Sequence, residues 1–164
     1  MSASLRKPLR VCFVAPLAYT LLGNRSDLPM GGAEAQVTAL GHALARYREY
    51  RVSFLVGSFG QPHVEQFGAV TSYSIVPVVP NDPLWKQIVR GIRLFFFLRK
   101  IPTDVFITTT INPIIGIIAL YVTLFRKKLI HRTAHEYECN RRFIRERGYV
   151  GKIFAASLDR KSVV

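Results

Sequence analysis

Apolar residues along this chain come in short blocks separated by polar loops, and the blocks alternate between two lengths. Leu9–Ala15 is a short, nearly uninterrupted apolar run, the pattern of a strand buried on both faces of a parallel sheet. A polar, irregular loop follows, and then a helix is expected from Ala33 to about Arg46. Further strands are expected at Arg51–Gly57, Ser72–Val79, Asp104–Thr108 and Lys128–Arg132. Between them the spacing predicts a helix over Leu84–Lys100, with Pro83 in its first turn and Asp82 as N-cap, and another over Pro113–Phe125. Helices over Glu136–Arg147 and Gly151–Arg160 complete the series, and Ser162–Val164 reads as the start of a strand. Such alternation predicts an α/β fold: a Rossmann-like parallel sheet with helices on both faces. No linker, internal repeat or low-complexity tract interrupts it. The domain is expected over residues 9–164, with 1–8 as an N-terminal tail. Val163 and Val164 look like the entry to a buried strand, which suggests a truncated chain; a short final edge strand is the alternative.

The uncharged stretch Val105–Phe125 is long enough to span a bilayer. Thr108-Thr109-Thr110 and Asn112-Pro113 interrupt it where a strand-to-helix turn belongs, so it reads as a buried strand followed by a core helix. The helix over Leu84–Lys100 is of another kind. Trp85, Ile88, Ile92, Phe95 and Phe96 form a broad apolar arc, and Lys86, Arg90, Arg93 and Lys100 fall near one face. It has the composition of a basic amphipathic helix that lies in an anionic membrane interface, with Lys86, Arg90 and Arg93 facing the lipid. The alternative is a helix packed on its own sheet with the cations solvated.

At 164 residues and 49% hydrophobic, the chain is large enough to bury a core, which excludes a disordered protein. Its 23 Lys and Arg against 10 Asp and Glu give a net charge of +13, a field that favours anionic partners. Two cysteines, Cys12 and Cys139, make no disulfide framework and fit a reduced, cytoplasmic protein. The first apolar run is short and lacks a small-residue cleavage site, so no secretory signal is expected.

The candidate chemistry centres on Met30-Gly31-Gly32-Ala33-Glu34. Paired glycines let backbone approach a ligand, and the free N–H groups of a helix start favour an anion. Strand, long loop, Gly-Gly and helix thus form a candidate phosphate-handling unit; glycines that only close a turn are the alternative. Neither a Gly-x-Gly-x-x-Gly directly after the strand nor a Gly-Lys-Ser/Thr loop is present. His131 and His135 are four apart in a strand-to-loop context, which does not make a zinc site, and no metal is expected. His135 falls just past a strand end, where ligands of open parallel sheets bind, with Glu136 and Glu138 beside it; a solvated loop histidine is the alternative. Glu138 and Glu146 flank an arginine-rich helix and read as its internal ion-pair partners.

Three segments in order, Phe13-Val14-Ala15-Pro16, Gly31-Gly32-Ala33-Glu34 and Leu40-Gly41-His42-Ala43-Leu44-Ala45, resemble the N-terminal lobe of family 4 glycosyltransferases. Arg132-Thr133-Ala134-His135-Glu136 and Gly148-Tyr149-Val150-Gly151-Lys152 are similar to the end of that lobe, so the resemblance covers nearly the whole chain from Leu9. Arg46–Tyr50 departs from it, standing where the family has a Gly-His-Glu run. The resemblance implies one lobe of a two-lobe glycosyltransferase-B fold that transfers a sugar from a nucleotide-diphosphate donor, with retention, to a glycan or lipid-linked acceptor. It also implies that Gly31, Gly32 and Glu34 bind substrate and that His135 is catalytic, contacting the donor sugar near its reacting carbon. The donor-binding C-terminal lobe is then missing, and activity is not expected without it. No separate cofactor is implied. The expected location is cytoplasmic, with the inner face of the cell membrane as a peripheral site. Two other readings stand beside this one: a basic nucleic-acid-binding module, supported by charge alone, and a nonfunctional truncated gene product.

Overall fold

The computed structural model describes residues 7–25, 31–75, 83–109 and 114–132. Its elements in chain order are β1 (Leu9–Val14), α1 (Tyr19–Leu22), α2 (Gly32–Ala45), β2 (Tyr50–Gly57), β3 (Val64–Phe67), β4 (Val70–Ile75), α3 (Leu84–Leu98), β5 (Val105–Thr108), α4 (Ile114–Leu124) and β6 (Lys128–His131).

Six strands form one sheet in the order β3-β4-β2-β1-β5-β6. Five run parallel, and β3 pairs antiparallel with β4 at the edge. The pleat of β1 explains why Val11–Val14 is apolar without a break. Val11 and Phe13 face a core built with Val37 of α2 and with Val52, Phe54 and Val56 of β2. Cys12 and Val14 face the opposite core, shared with Leu94 and Leu98 of α3, Ile114 and Ile118 of α4, and Phe106 of β5. Both faces are therefore covered, as a parallel sheet requires. Gly41 of α2 is needed at its place: a Cβ there would sit 2.5 Å from the Phe54 ring.

Val105–Thr108 and Ile114–Leu124 form the strand and core helix expected of the uncharged stretch. Among the described residues no helix is long and apolar enough to cross a membrane.

The structure departs from the sequence reading in four places. The sheet is mixed rather than all parallel, because Val64–Phe67 folds back on β4 through a two-residue Gly68-Ala69 loop. Gly68 takes a positive φ of 59°, which suits a hairpin of that length. The strand expected from Ser72 begins earlier, at Val70, in register with Val52 of β2. The loop after β1 contains a helical turn, α1, whose Tyr19 and Leu22 are buried beneath α2. Pro83 is the N-cap of α3 itself rather than a first-turn residue, its carbonyl accepting from the N–H of Lys86 (2.9 Å) and Gln87 (3.2 Å). Asp82 lies outside the described residues, as do the helices expected over Glu136–Arg147 and Gly151–Arg160 and the strand start at Ser162–Val164.

Candidate functional site

The chain runs outward from β1 in two directions. It builds β2 and β4 on one side with α2 over one face, then returns through α3 to build β5 and β6 on the other side beneath α3 and α4. The strand order therefore reverses between β1 and β5. In open α/β sheets the crevice beyond the C-terminal ends of two such strands is where ligands bind.

Gly31 and Gly32 stand at this edge, at the start of α2. Gly31 is the N-cap, with extended dihedrals (φ −109°, ψ 151°) that any residue adopts, so it is not there to close a turn. A Cβ there would meet the carboxylate end of the Glu34 side chain, so a larger residue requires that side chain to move. Glu34 is the third helical residue and is buried, turned back over the helix start in the position of a capping-box glutamate. Its negative charge sits at the positive end of the helix. Gly32 is different. It is exposed, and a Cβ there would meet nothing within 4 Å among the described residues. Packing among those residues gives no reason for glycine at 32.

Across the edge, Thr108 and Thr109 close β5. The Thr108 hydroxyl shares a hydrogen bond of 2.8 Å with Nδ1 of His131, which ends β6. The Thr109 hydroxyl is buried and has no hydrogen-bond partner among the described residues. The Arg132 N–H donates to the Thr108 carbonyl at 2.8 Å, continuing the ladder one residue past the strand. Its guanidinium Nη2 donates to Oε1 of Gln36 in α2, also at 2.8 Å. This contact ties the end of the outermost parallel strand to the second turn of the glycine-led helix. Sequence pattern marked Thr108 and Thr109 only as a turn and Arg132 only within the Arg132–Glu136 segment; the contact of Arg132 with Gln36, 96 residues away, is made by the fold alone. The threonines directly after a strand were the available signal.

Of the expected site residues, the structure brings Gly31, Gly32 and Glu34 together. His135, Glu136, Glu138 and Glu146 lie outside the described residues. Lys86, Arg90 and Arg93 lie on α3; Lys86 and Arg93 are exposed and Arg90 is half-buried. No group of three His, Cys, Asp or Glu arranged to hold a metal occurs among the described residues. Cys12 is fully buried at the centre of the sheet, and desolvation pushes its thiol up to about 12, which makes it a core residue rather than a nucleophile. No protein-family model matches the chain, and no curated protein matches it.

Proposed function

We propose that this chain is the N-terminal, acceptor-side lobe of a retaining glycosyltransferase with the glycosyltransferase-B fold, using a nucleotide-diphosphate sugar as donor. The observation that carries the reading is Gly32. It leads a fourteen-residue helix at the edge where the strand order reverses, it is exposed, and no neighbouring atom among the described residues requires it to be glycine. Backbone that must approach a diphosphate gives the missing reason. The resemblance of the Gly31–Glu34 segment and its flanks to family 4 glycosyltransferases supports the same assignment. In that reading the first N–H groups of α2 face the donor diphosphate and offset the negative charge that grows on it as the glycosidic bond breaks. His135 would contact the donor sugar, and a second lobe would supply donor recognition.

Amide chemical shifts of the isotope-labelled chain, titrated with uridine, guanosine and adenosine diphosphates, test this. The amides of Gly31, Gly32 and Ala33 are expected to move with at least one nucleotide, and not with sulfate at matched ionic strength. Unmoved amides with every nucleotide, or equal movement with sulfate, would remove the assignment.

A further inference from the structure

Helix α3 carries apolar residues on two opposite sides. Leu94 and Leu98 are buried on the sheet, and Phe95 packs edge-on against Tyr121 of α4 with ring centroids 5.7 Å apart. Gly91 lets α4 come close, since a Cβ there would lie 3.3 Å from Ile117. The core side of α3 is thus accounted for. On the other side Trp85, Ile88, Ile92 and Phe96 follow one another at three- and four-residue spacing, and Val89 stands four from Trp85 and three from Ile92, which stacks the five along a single ridge. All five are exposed, Trp85 at 63% and Phe96 at 56%. On the adjoining helix Leu120 and Leu124 are exposed as well, Leu124 at 60%. Large apolar side chains scattered singly need no explanation, but a ridge of five on one helix marks an interaction surface.

The charges around the ridge indicate what covers it. Lys86 and Arg93 are exposed along α3, Arg99 and Lys100 follow its end, and Arg126 and Lys128 follow α4. From Pro83 to Arg132 the sequence has one acidic residue, Asp104, and that carboxylate is already engaged by Arg10 and Lys127. A second copy of the chain would meet this face with its own cations, because a two-fold interface sets the same patch against itself. Nucleic acid would offer phosphates but no apolar phase for the ridge. An anionic bilayer offers both: an acyl boundary for Trp85, Ile88, Ile92 and Phe96, and headgroup phosphates for the flanking Lys and Arg. Trp85, with Nζ of Lys86 5.5 Å from its ring centroid, sits where aromatic and cationic side chains favour the membrane–water interface.

We infer that the outer face of α3, with Leu120 and Leu124 of α4 beside it, docks the protein on an anionic lipid surface. The inference does not rest on the transferase reading. Trp85 is the sole tryptophan and reports directly on the ridge. With vesicles of equal parts phosphatidylcholine and phosphatidylglycerol, the full chain should co-sediment and its tryptophan emission should shift to the blue. Partitioning should weaken with salt. The double variant Lys86→Gln, Arg93→Gln should bind roughly tenfold or more weakly. Ile88→Ser with Ile92→Ser should abolish both signals. All four positions are exposed, so unchanged far-ultraviolet circular dichroism verifies folding; should a variant misfold, quenching of Trp85 in the unaltered chain by brominated lipid decides. Any of four results overturns the inference: no partitioning; equal partitioning onto phosphatidylcholine alone; a dimer that Ile88→Ser with Ile92→Ser dissociates; or nucleic-acid binding that suppresses vesicle binding.

Discussion

Arg10 and Asp104, 94 residues apart, are joined by three hydrogen bonds at the N-terminal edge of the sheet. The Arg10 guanidinium donates to both carboxylate oxygens, at 2.6 and 2.9 Å, and the Arg10 backbone N–H donates to one of them at 3.1 Å. The pair fastens β1 to the residue just before β5, so it fixes the register of the two strands between which the order reverses. The guanidinium hydrogen bonds, helped by the backbone N–H and the nearby Lys127 charge, hold the Asp104 carboxyl down to about 2.

Because Asp104 is depressed in the folded protein, its contribution is full above the unfolded carboxyl range. It fades as pH falls from about 4 through about 2. The pair is partly solvated, which screens it, so Asp104→Asn should cost about 1–2 kcal/mol at pH 6. Urea unfolding of both proteins should show this gap at pH 6 and its near-disappearance at pH 2. An equal gap at both pH values would mean that the carboxylate charge is not what stabilises the pair.

Gly41→Ala sets two effects against each other. Alanine gains up to about 1 kcal/mol of helix propensity over glycine. Against that, the new Cβ would meet the Phe54 ring, which is stacked on Phe13 with centroids 5.1 Å apart. Overpacking a core costs about 1–3 kcal/mol, and clashing with two stacked rings leaves little room for relaxation. The expected net result is a loss of about 1–2 kcal/mol in urea unfolding. A gain would show that α2 can lift from the sheet at that point.

Much of the fold was legible because β1, β2 and β5 are largely apolar on both sides and α2, α3 and α4 each follow a glycine or proline. Val11–Val14 and Val52–Val56 could be read as buried strands from composition alone. What escaped was small or set by tertiary context. β3 has only four residues, and its signals were the alternation of Val64 and Gln66 outside with Glu65 and Phe67 inside, and the Gly68-Ala69 turn. α1 has four residues and exists because Tyr19 finds partners the sequence does not display: Glu65, 3.1 Å from its hydroxyl, and the rings of Phe59 and Phe67. For α3, periodicity showed apolar residues but not which arc the sheet would take, since Leu94 and Leu98 compete with Trp85, Ile88 and Ile92 on equal terms. At the candidate site, the position of Gly31 and Gly32 was legible. The difference between the two glycines was not, because it depends on where the fold sets the Glu34 side chain, over Gly31 and away from Gly32.

Cys12 faces the core beneath α3 and α4 with no exposed surface, and burial pushes its thiol up to about 12. A thiol so far above neutral pH has almost no thiolate to offer, and reagent cannot reach it without opening the sheet. In a Cys139→Ser variant, labelling with a disulfide reagent at pH 8 should therefore proceed only at the rate of unfolding, and should accelerate steeply in urea. Rapid labelling without denaturant would show that β1 is reached by local opening of the helices above it.

The two leading glycines of α2 should respond oppositely to alanine. At Gly31 a methyl group competes with the Glu34 carboxylate for the same space. Glu34 must then swing out of a buried position or the helix start must shift, and either change loosens the cap. Gly31→Ala is expected to lower stability by about 1–2 kcal/mol. At Gly32 nothing among the described residues stands within 4 Å and the residue is already helical, so alanine should be neutral or stabilising by up to about 1 kcal/mol. Ligand binding should reverse the ranking of harm. If a nucleoside diphosphate approaches the first N–H groups, the Gly32 methyl occupies its path, and the amide shifts caused by the diphosphate should shrink in a protein that is no less stable. Urea unfolding and diphosphate titration of the same two variants separate the roles. Loss of stability at Gly32, or undiminished diphosphate response in Gly32→Ala, would make Gly32 an ordinary helix-start residue and withdraw the main support for a phosphate site there.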